Sequence, residues 1–407
     1  MTKTELFELT ANGENSGLEF KRDDVRPEQL AQEIVAMANV AGGRILLGVE
    51  DDGTISGITR PDLETWLMDT VFGRYVHPTI IPFYETVEID PKRRVAVITI
   101  TQGSAKPYVV RKSDREDVYI RLGTTSRLAS REQQMRLLQQ GGLVHTETLP
   151  VSGADLSSLD VQRIEFYLRE IVGDEEIPAS EPDWIRRLIG LGMMVEDYVG
   201  GPVSTIAGQV LFGRRPRRYL RQAGLRLLAF PGDDRGYETR LDHLIDQPAT
   251  GDNEGNGLFE EAGRLLRPLL LSGAASNINE SMRREDRLTY PWEAVRELVV
   301  NAVAHRDWTR SVDIEISLFA DRIEIISPGA LQNSMTVEKM IAGQRSPRNP
   351  LIVDTLRDFR YVESRGMGIR TKVIPLMRDH NDTEPQFDAT DDYLKCTLYA
   401  NQTGENR

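Results

Sequence analysis

The sequence predicts an α+β protein, on three observations. Between residues 18 and 50, a short alternating strand, a helix and a second strand follow one another. Towards the other end, an amphipathic helix at 291–307 leads to a strand with a sharp turn at 321–329, then to a glycine-containing helix start near 366–368. The length of 407 residues points to two or three domains. The expected divisions are 1–145, a helical and mixed middle domain at 150–275, a sandwich at 276–400, and a disordered tail at 401–407.

Taken in order, Leu18, Glu19, Phe20 and Lys21 alternate, so Leu18 and Phe20 face one way and Glu19 and Lys21 the other. Glu14 comes just before this strand. Pro27 suits the start of a helix reaching Asn39, and Gly42 and Gly43 lie beyond its end. Arg44 to Glu50 reads as a strand, and Asp51-Asp52-Gly53 as the turn after it. Two carboxylates and a lysine near one strand, with an acid ending its neighbour, suit a metal nuclease. The acids Glu14, Glu19 and Asp51 would hold Mg²⁺ or Mn²⁺, and Lys21 would stabilise charge on the attacked phosphate. On spacing alone, a surface salt-bridge cluster beside an Asp-Gly hairpin is the plainer reading.

The middle of the chain is less informative. Residues 152–158 read as a linker, 159–172 and 181–194 as helices, and 225–230 as a strand. A polar loop at 247–256 precedes a helix at 258–271, interrupted by Pro268, that suits core or dimer packing. The two short helices include no basic recognition helix. Arg214, Arg215, Arg217, Arg218, Arg221 and Arg226 cluster with no acid among them, and Arg121 lies in an earlier basic stretch. The planar fork of arginine suits phosphate contacts, with a solvated surface or an oligomer interface as the alternative for the cluster.

Pro291 suits a first helical position, where its missing N–H costs nothing. At helical spacing Val295, Leu298, Val299, Ala302 and Val303 share one arc, and Glu297, Asn301 and His305 stack as a stripe outside it. Such a glutamate can orient or deprotonate a water, and the asparagine oxygen can ligate a magnesium ion bridging phosphates. A solvated polar face is the alternative. Glycines that open a helix, as at Gly366 and Gly368, let backbone N–H groups approach a phosphate.

These residues carry a resemblance. The C-terminal third resembles the GHKL-type ATPase domain fused to Schlafen AlbA-like domains in prokaryotes. The pattern E-x-x-x-N-A-x-x-H-R-D is matched by Glu297, Asn301, Ala302, His305, Arg306 and Asp307. The strand-turn runs from Asp321 to Gly329, the Arg-Asn-Pro motif is Arg348, Asn349 and Pro350, and Glu363, Gly366, Gly368 and Ile369 match the last motif. The resemblance implies a mixed sheet with helices on one face, Glu297 as general base and Asn301 as magnesium ligand. Gly366 and Gly368 would line the phosphates, with His305, Ser327 and Gly329 also in the ATP site. Ser327-Pro328-Gly329 stands where the wider class has Asp-x-Gly. At the other end, Glu14-x-Ser16-x-x-Glu19-Phe20-Lys21, residues 38–43, 48–53 and 118–129 resemble the Schlafen AlbA-like domain over roughly 12–140. That implies an α/β fold and a three-acid centre at Glu14, Glu19 and Asp51, accompanied by Lys21.

Composition narrows the function classes. A net charge of −13 argues against a uniformly basic nucleic-acid binder, so contacts would be local. They are expected at Arg121, Arg214, Arg215, Arg217 and Arg218. No stretch approaches the ~18 apolar residues of a membrane span. The N-terminus lacks a signal-peptide pattern. The single cysteine, Cys396, excludes an internal disulfide framework and a cysteine zinc cluster. The expected compartment is the cytoplasm. With no Gly-Lys pair there is no P-loop, so a P-loop motor is unsupported. Two functions remain. One is an ATP-gated, metal-dependent nuclease, RNA favoured over DNA, acting as a defence or stress effector. The other is an ATP-responsive nucleic-acid-binding regulator that does not cleave. Expected partners are nucleic acid, ATP and a second copy of the chain, with no membrane.

Overall fold

The computed structural model describes every residue except 114, 198–199, 279–283, 333–334, 364–366 and 402–407, and describes 272–278 and 284–287 as backbone only. Gly366 and all but the first residue of the expected tail therefore lie outside the described residues. The chain forms two compact units, Met1–Val144 and His145–Arg407. Among the described residues, no helix is long and apolar enough to cross a membrane.

In the first unit, strands β1 (Leu18–Lys21), β2 (Gly43–Leu47), β3 (Phe83–Asp90) and β4 (Arg93–Ile100) form a sheet in the order β1-β2-β4-β3. Strands β1 and β2 run parallel, because helix α2 (Pro27–Asn39) carries the chain back between them. The other pairs are antiparallel. The alternation expected for β1 places Leu18 and Phe20 with Leu46, Val95 and Val97 against Leu6 of helix α1 (Lys3–Asn12). On the opposite face Ile45, Leu47, Ala96 and Ile98 meet Leu30, Ile34 and Ala38 of α2. Burial on both faces explains why Glu19, on the α2 side, is itself only 4% exposed. Asn39 ends α2 as a buried tie. Its amide donates to the carbonyls of Tyr108 and Tyr119, both at 2.8 Å, and accepts from the Tyr108 N–H. A hairpin of β5 (Tyr119–Leu122) and β6 (Thr125–Leu128) also packs on α2.

The second unit is built on six strands: β7 (Leu225–Ala229), β8 (Leu241–Ile245), β9 (Ile314–Leu318), β10 (Arg322–Pro328), β11 (Gln386–Ala389) and β12 (Tyr393–Tyr399). Their order is β8-β7-β9-β10-β12-β11, with only the β7–β9 pair parallel. One face carries Leu225, Leu227, Ile314, Ile316, Ile323, Ile325, Cys396 and Leu398 into a core shared with the helices. These include α3 (Ile206–Phe212), α4 (Leu258–Leu269), α5 (Trp292–His305), α6 (Pro350–Asp358) and α7 (Ile374–Asn381). Across the opposite face charged side chains pair along and between strands, as Arg226 does with Asp242 and Arg322 with Glu324. The whole is an α+β architecture in which helices on one face cover a mixed sheet.

Residues 150–275, expected as a separate middle domain, do not build a core of their own. Strands β7 and β8 belong to the six-stranded sheet, and one continuous core runs from Val151 to Leu398. The expected linker at 152–158 is also fixed in place. Val151 donates to the Ser204 carbonyl at 2.8 Å, Ala154 is fully buried, and Ser158 is buried. The unit boundary instead falls between Val144 and His145.

Candidate functional site

Helix α5 carries the site residues. Its apolar arc, Val295, Leu298, Val299, Ala302 and Val303, is buried as the spacing requires. Its stripe, Glu297, Asn301 and His305, lines a cavity of about 220 Å³. The sheet contributes Ile325, Leu394 and Cys396, and Gly368 and Ile369 complete another side. The walls are largely apolar, with a few polar groups converging on them, as small-molecule sites generally are.

Glu297 is the most informative of these groups. The Asn301 amide nitrogen donates to its Oε1 at 3.2 Å, while Oε2 is buried with no hydrogen-bond partner among the described residues. Burial raises the pKa of this carboxyl, against the lowering effect of the Asn301 bond. Gly368 sits directly against it, and a Cβ at that position would collide with the carboxylate. His305 has ring surface open to solvent, yet protein surrounds it closely enough that desolvation, with Arg348 second, moves its pKa down. Of the other expected residues, Ser327 donates to the Ala302 carbonyl at 2.9 Å. Gly329 has φ +113°, and a Cβ there would lie 2.5 Å from that of Asp307, so both conformation and space require glycine.

The remaining motif residues turn out to be scaffolding. Arg306 is fully buried and donates to the carbonyls of Gln222, Arg310 and Val312. Arg348 pairs with Asp307 at 3.0 Å and donates to the Ala330 carbonyl. Asn349 donates to the carbonyls of Ala304 and Arg306, both at 2.9 Å, and so satisfies the C-terminal end of α5. These residues fix the helix that bears Glu297 and Asn301.

The N-terminal cluster is arranged differently. Lys21 bonds Glu19 Oε1, and Arg121 bonds Glu19 Oε2 at 2.7 Å. Arg121 also bonds Glu33 at 2.9 Å and donates to the carbonyls of Asn15, Ser16 and Leu18. Ser126 donates to the same Glu33 oxygen, Oε2, at 2.5 Å. Arg121 is 5% exposed, so the expectation that it contacts nucleic acid is corrected: its donors are committed inside the fold. Glu33 was missed, because nothing in its local sequence sets it apart from other exposed helix positions. Glu14 accepts from the Phe20 N–H at 2.7 Å, and its pKa is raised, by burial first, with Glu19 and Asp51 adding to the rise. Asp51 is exposed in its turn. Among the described residues, no group of three His, Cys, Asp or Glu side chains is placed to hold a metal ion.

Part of the arginine cluster is paired within the fold. Arg217 pairs with Asp313, Arg226 with Asp242, and Arg214 donates to the Leu159 carbonyl at 3.1 Å. Arg214, Arg215, Arg218 and Arg221 are exposed.

A helix-backed mixed sheet, with a glutamate and an asparagine one turn apart in a largely apolar cavity, defines an α+β module with a small-molecule-sized site. Comparison with known families gives both ends of the chain their place. Residues 14–130 match the family described as "Schlafen, AlbA_2", and residues 312–398 the family described as "Putative ATP-dependent DNA helicase recG C-terminal", an HATPase-type domain. The chain therefore carries a Schlafen AlbA-like domain joined to a recG-like ATPase domain, which makes it a nucleic-acid-related ATP-binding protein. Among solved structures it is similar to the DIP2311 protein from Corynebacterium diphtheriae, with 20% identity over 95% of this chain and 76% of that one and a TM-score of 0.44. It is also similar to the N-terminal domain of a protein from Nitrosomonas europaea described as RecG-related, with 20% identity over 32% of this chain and 94% of that one and a TM-score of 0.25. No curated protein matches the chain.

Proposed function

We propose that the C-terminal cavity binds ATP and that the nucleotide regulates binding of nucleic acid by the rest of the chain, without cleavage. The observation that carries the reading is Glu297, which lines the cavity with Asn301 and Gly368 and whose Oε2 is buried with no hydrogen-bond partner among the described residues. An orphaned buried carboxylate oxygen is costly unless a ligand, water or cation completes it. The donor set suits a magnesium nucleotide. The Asn301 nitrogen is given to Glu297, which leaves its amide oxygen for Mg²⁺. Gly368 opens the helical segment Ile369–Val373, where backbone N–H groups favour phosphate oxygens. Mg²⁺ would supply charge neutralisation of the phosphates. Glu297, with its pKa raised by burial, is suited to take a proton from an attacking water. His305, Ser327 and Gly329 complete the proposed nucleotide site.

For nucleic acid, the exposed Arg214, Arg215, Arg218 and Arg221 are the proposed phosphate contacts. The absence of cleavage is supported by Glu19, whose two oxygens are already bonded to Lys21 and Arg121. One observation favours the nuclease reading as a second choice. Glu14 feels the negative charge of Glu19 and Asp51, and Mg²⁺ or Mn²⁺ would relieve that repulsion.

The test is a binding and cleavage panel of structured RNA, single-stranded RNA and DNA, with Mg²⁺ or Mn²⁺, with and without ATP. Binding that changes with ATP, and substrate that stays intact, is the expected result. Metal-dependent cleavage abolished by Glu19→Ala would establish the nuclease instead. Molecular mass measured with and without ATP checks the expected self-association.

A further inference from the structure

Helix α6 has an unusual start. Its N-cap residue, Asn349, makes no side-chain bond to its own helix: its Nδ2 donates to the carbonyls of Ala304 and Arg306 at the end of α5, and in that pose its Oδ1, the atom an N-cap uses, is buried with no partner among the described residues. Asparagine is among the best N-cap residues, so this leaves the helix short of acceptors. Pro350, the first helical residue, has no N–H to satisfy. The next two N–H groups, of Leu351 and Ile352, both donate to one carboxylate, Glu147, at 2.9 Å each. Glu147 is 1% exposed and lies only three residues into the second unit. A residue about 200 positions away thus supplies the cap that Asn349 has given up.

We propose that Glu147 is a positioning residue for the nucleotide cavity, acting through Asn349. While Glu147 caps α6, Asn349 is free to hold the end of α5, next to His305 and one turn beyond Asn301. Without Glu147, the Asn349 side chain is drawn to the uncapped N–H groups of its own helix. The end of α5 then loses its tie, and the cavity loses its fixed wall. Because coupling is reciprocal, nucleotide in the cavity also tightens the hold of α6 on the segment that contains Glu147. Burial raises the Glu147 pKa to about 7, so the carboxylate is held here at a cost that its capping role offsets.

This inference rests on the cavity binding ATP, and its test separates the two. Affinity for ATP is measured by calorimetry in the full chain, in Glu147→Ala, in Asn349→Ala and in the double variant. Where Glu147→Ala folds poorly, Glu147→Gln keeps the volume and one acceptor oxygen and takes its place in the same cycle. Glu147→Ala is expected to weaken ATP about 10-fold, and the double variant to be no weaker than Asn349→Ala alone. Losses that add, or unchanged affinity in a folded Glu147 variant, would overturn the proposal. Amide exchange at Leu351 and Ile352 in the unaltered protein supplies a second readout. ATP should slow it, and no change would count against the coupling. Failure of the unaltered protein to bind ATP would sink the nucleotide reading itself.

Discussion

Two glutamates in this molecule, Glu19 and Glu297, each stand in a motif that suggests a site, and they differ in what surrounds them. At Glu19 the fold supplies every partner: Lys21 on one oxygen, Arg121 on the other, and Ser126 and Arg121 on the neighbouring Glu33. At Glu297, which lines an apolar cavity, the described residues supply one amide and leave the second, buried oxygen without a partner. The first arrangement spends its charges on holding the hairpin β5–β6 to β1 and α2. The second leaves an unmet hydrogen-bonding demand that a ligand can answer. Motif identity alone does not separate a brace from a binding site; the count of satisfied oxygens does.

The largest expected effect breaks the brace. Arg121→Ala strands Glu19 and Glu33 in a buried site and should destabilise the first unit by about 3–5 kcal/mol, read by chemical denaturation. A smaller loss would mean that water reaches the cluster and the site is open after all. Next comes pH. Glu147 has a folded pKa of about 7, above its ordinary value, so its stabilising contribution is complete below about pH 4.5 and is lost as pH rises towards 7. The second unit should therefore lose up to about 3 kcal/mol over that window, at 1.36 kcal/mol per pKa unit. Glu147→Gln should flatten the profile.

On the cavity side, Gly368→Ala drives a methyl group into the Glu297 carboxylate. It should weaken ATP binding about 100-fold with little change in melting temperature, a size typical of a site left with mispaired polar groups. Equal binding would show that the nucleotide does not lie against Gly368. The smallest effect is at the surface. Replacing Arg215 and Arg218 with alanine should leave ATP affinity unchanged and reduce the salt dependence of nucleic-acid binding by about one unit of slope per lost phosphate contact. An unchanged slope would move the interface elsewhere.

The sequence was most legible where function depends on one helix or one strand. Glu297, Asn301 and His305 reach the same cavity because four-residue spacing fixes their direction whatever else the chain does. The ends of α2, with Pro27 at one side and Gly42 beyond the other, were set by backbone chemistry in the same way. Nothing local could show that Arg121 would meet Glu19, or Glu147 the start of α6, since those partners are about 100 and 200 residues apart. The same reason explains the middle segment. Strand β7 looks complete in itself, but its parallel pairing with β9 is a long-range choice, and that choice merges 150–275 with the C-terminal sheet.

Resemblance in short motifs identified an AlbA-like domain and an ATPase-type domain in this chain, while periodicity and turn chemistry marked the helices and strands that carry those motifs. Which acids would be fully partnered and which left with an unpartnered oxygen among the described residues was decided by tertiary structure. Hydrogen-bond satisfaction depends on groups that only folding brings within 3 Å of one another.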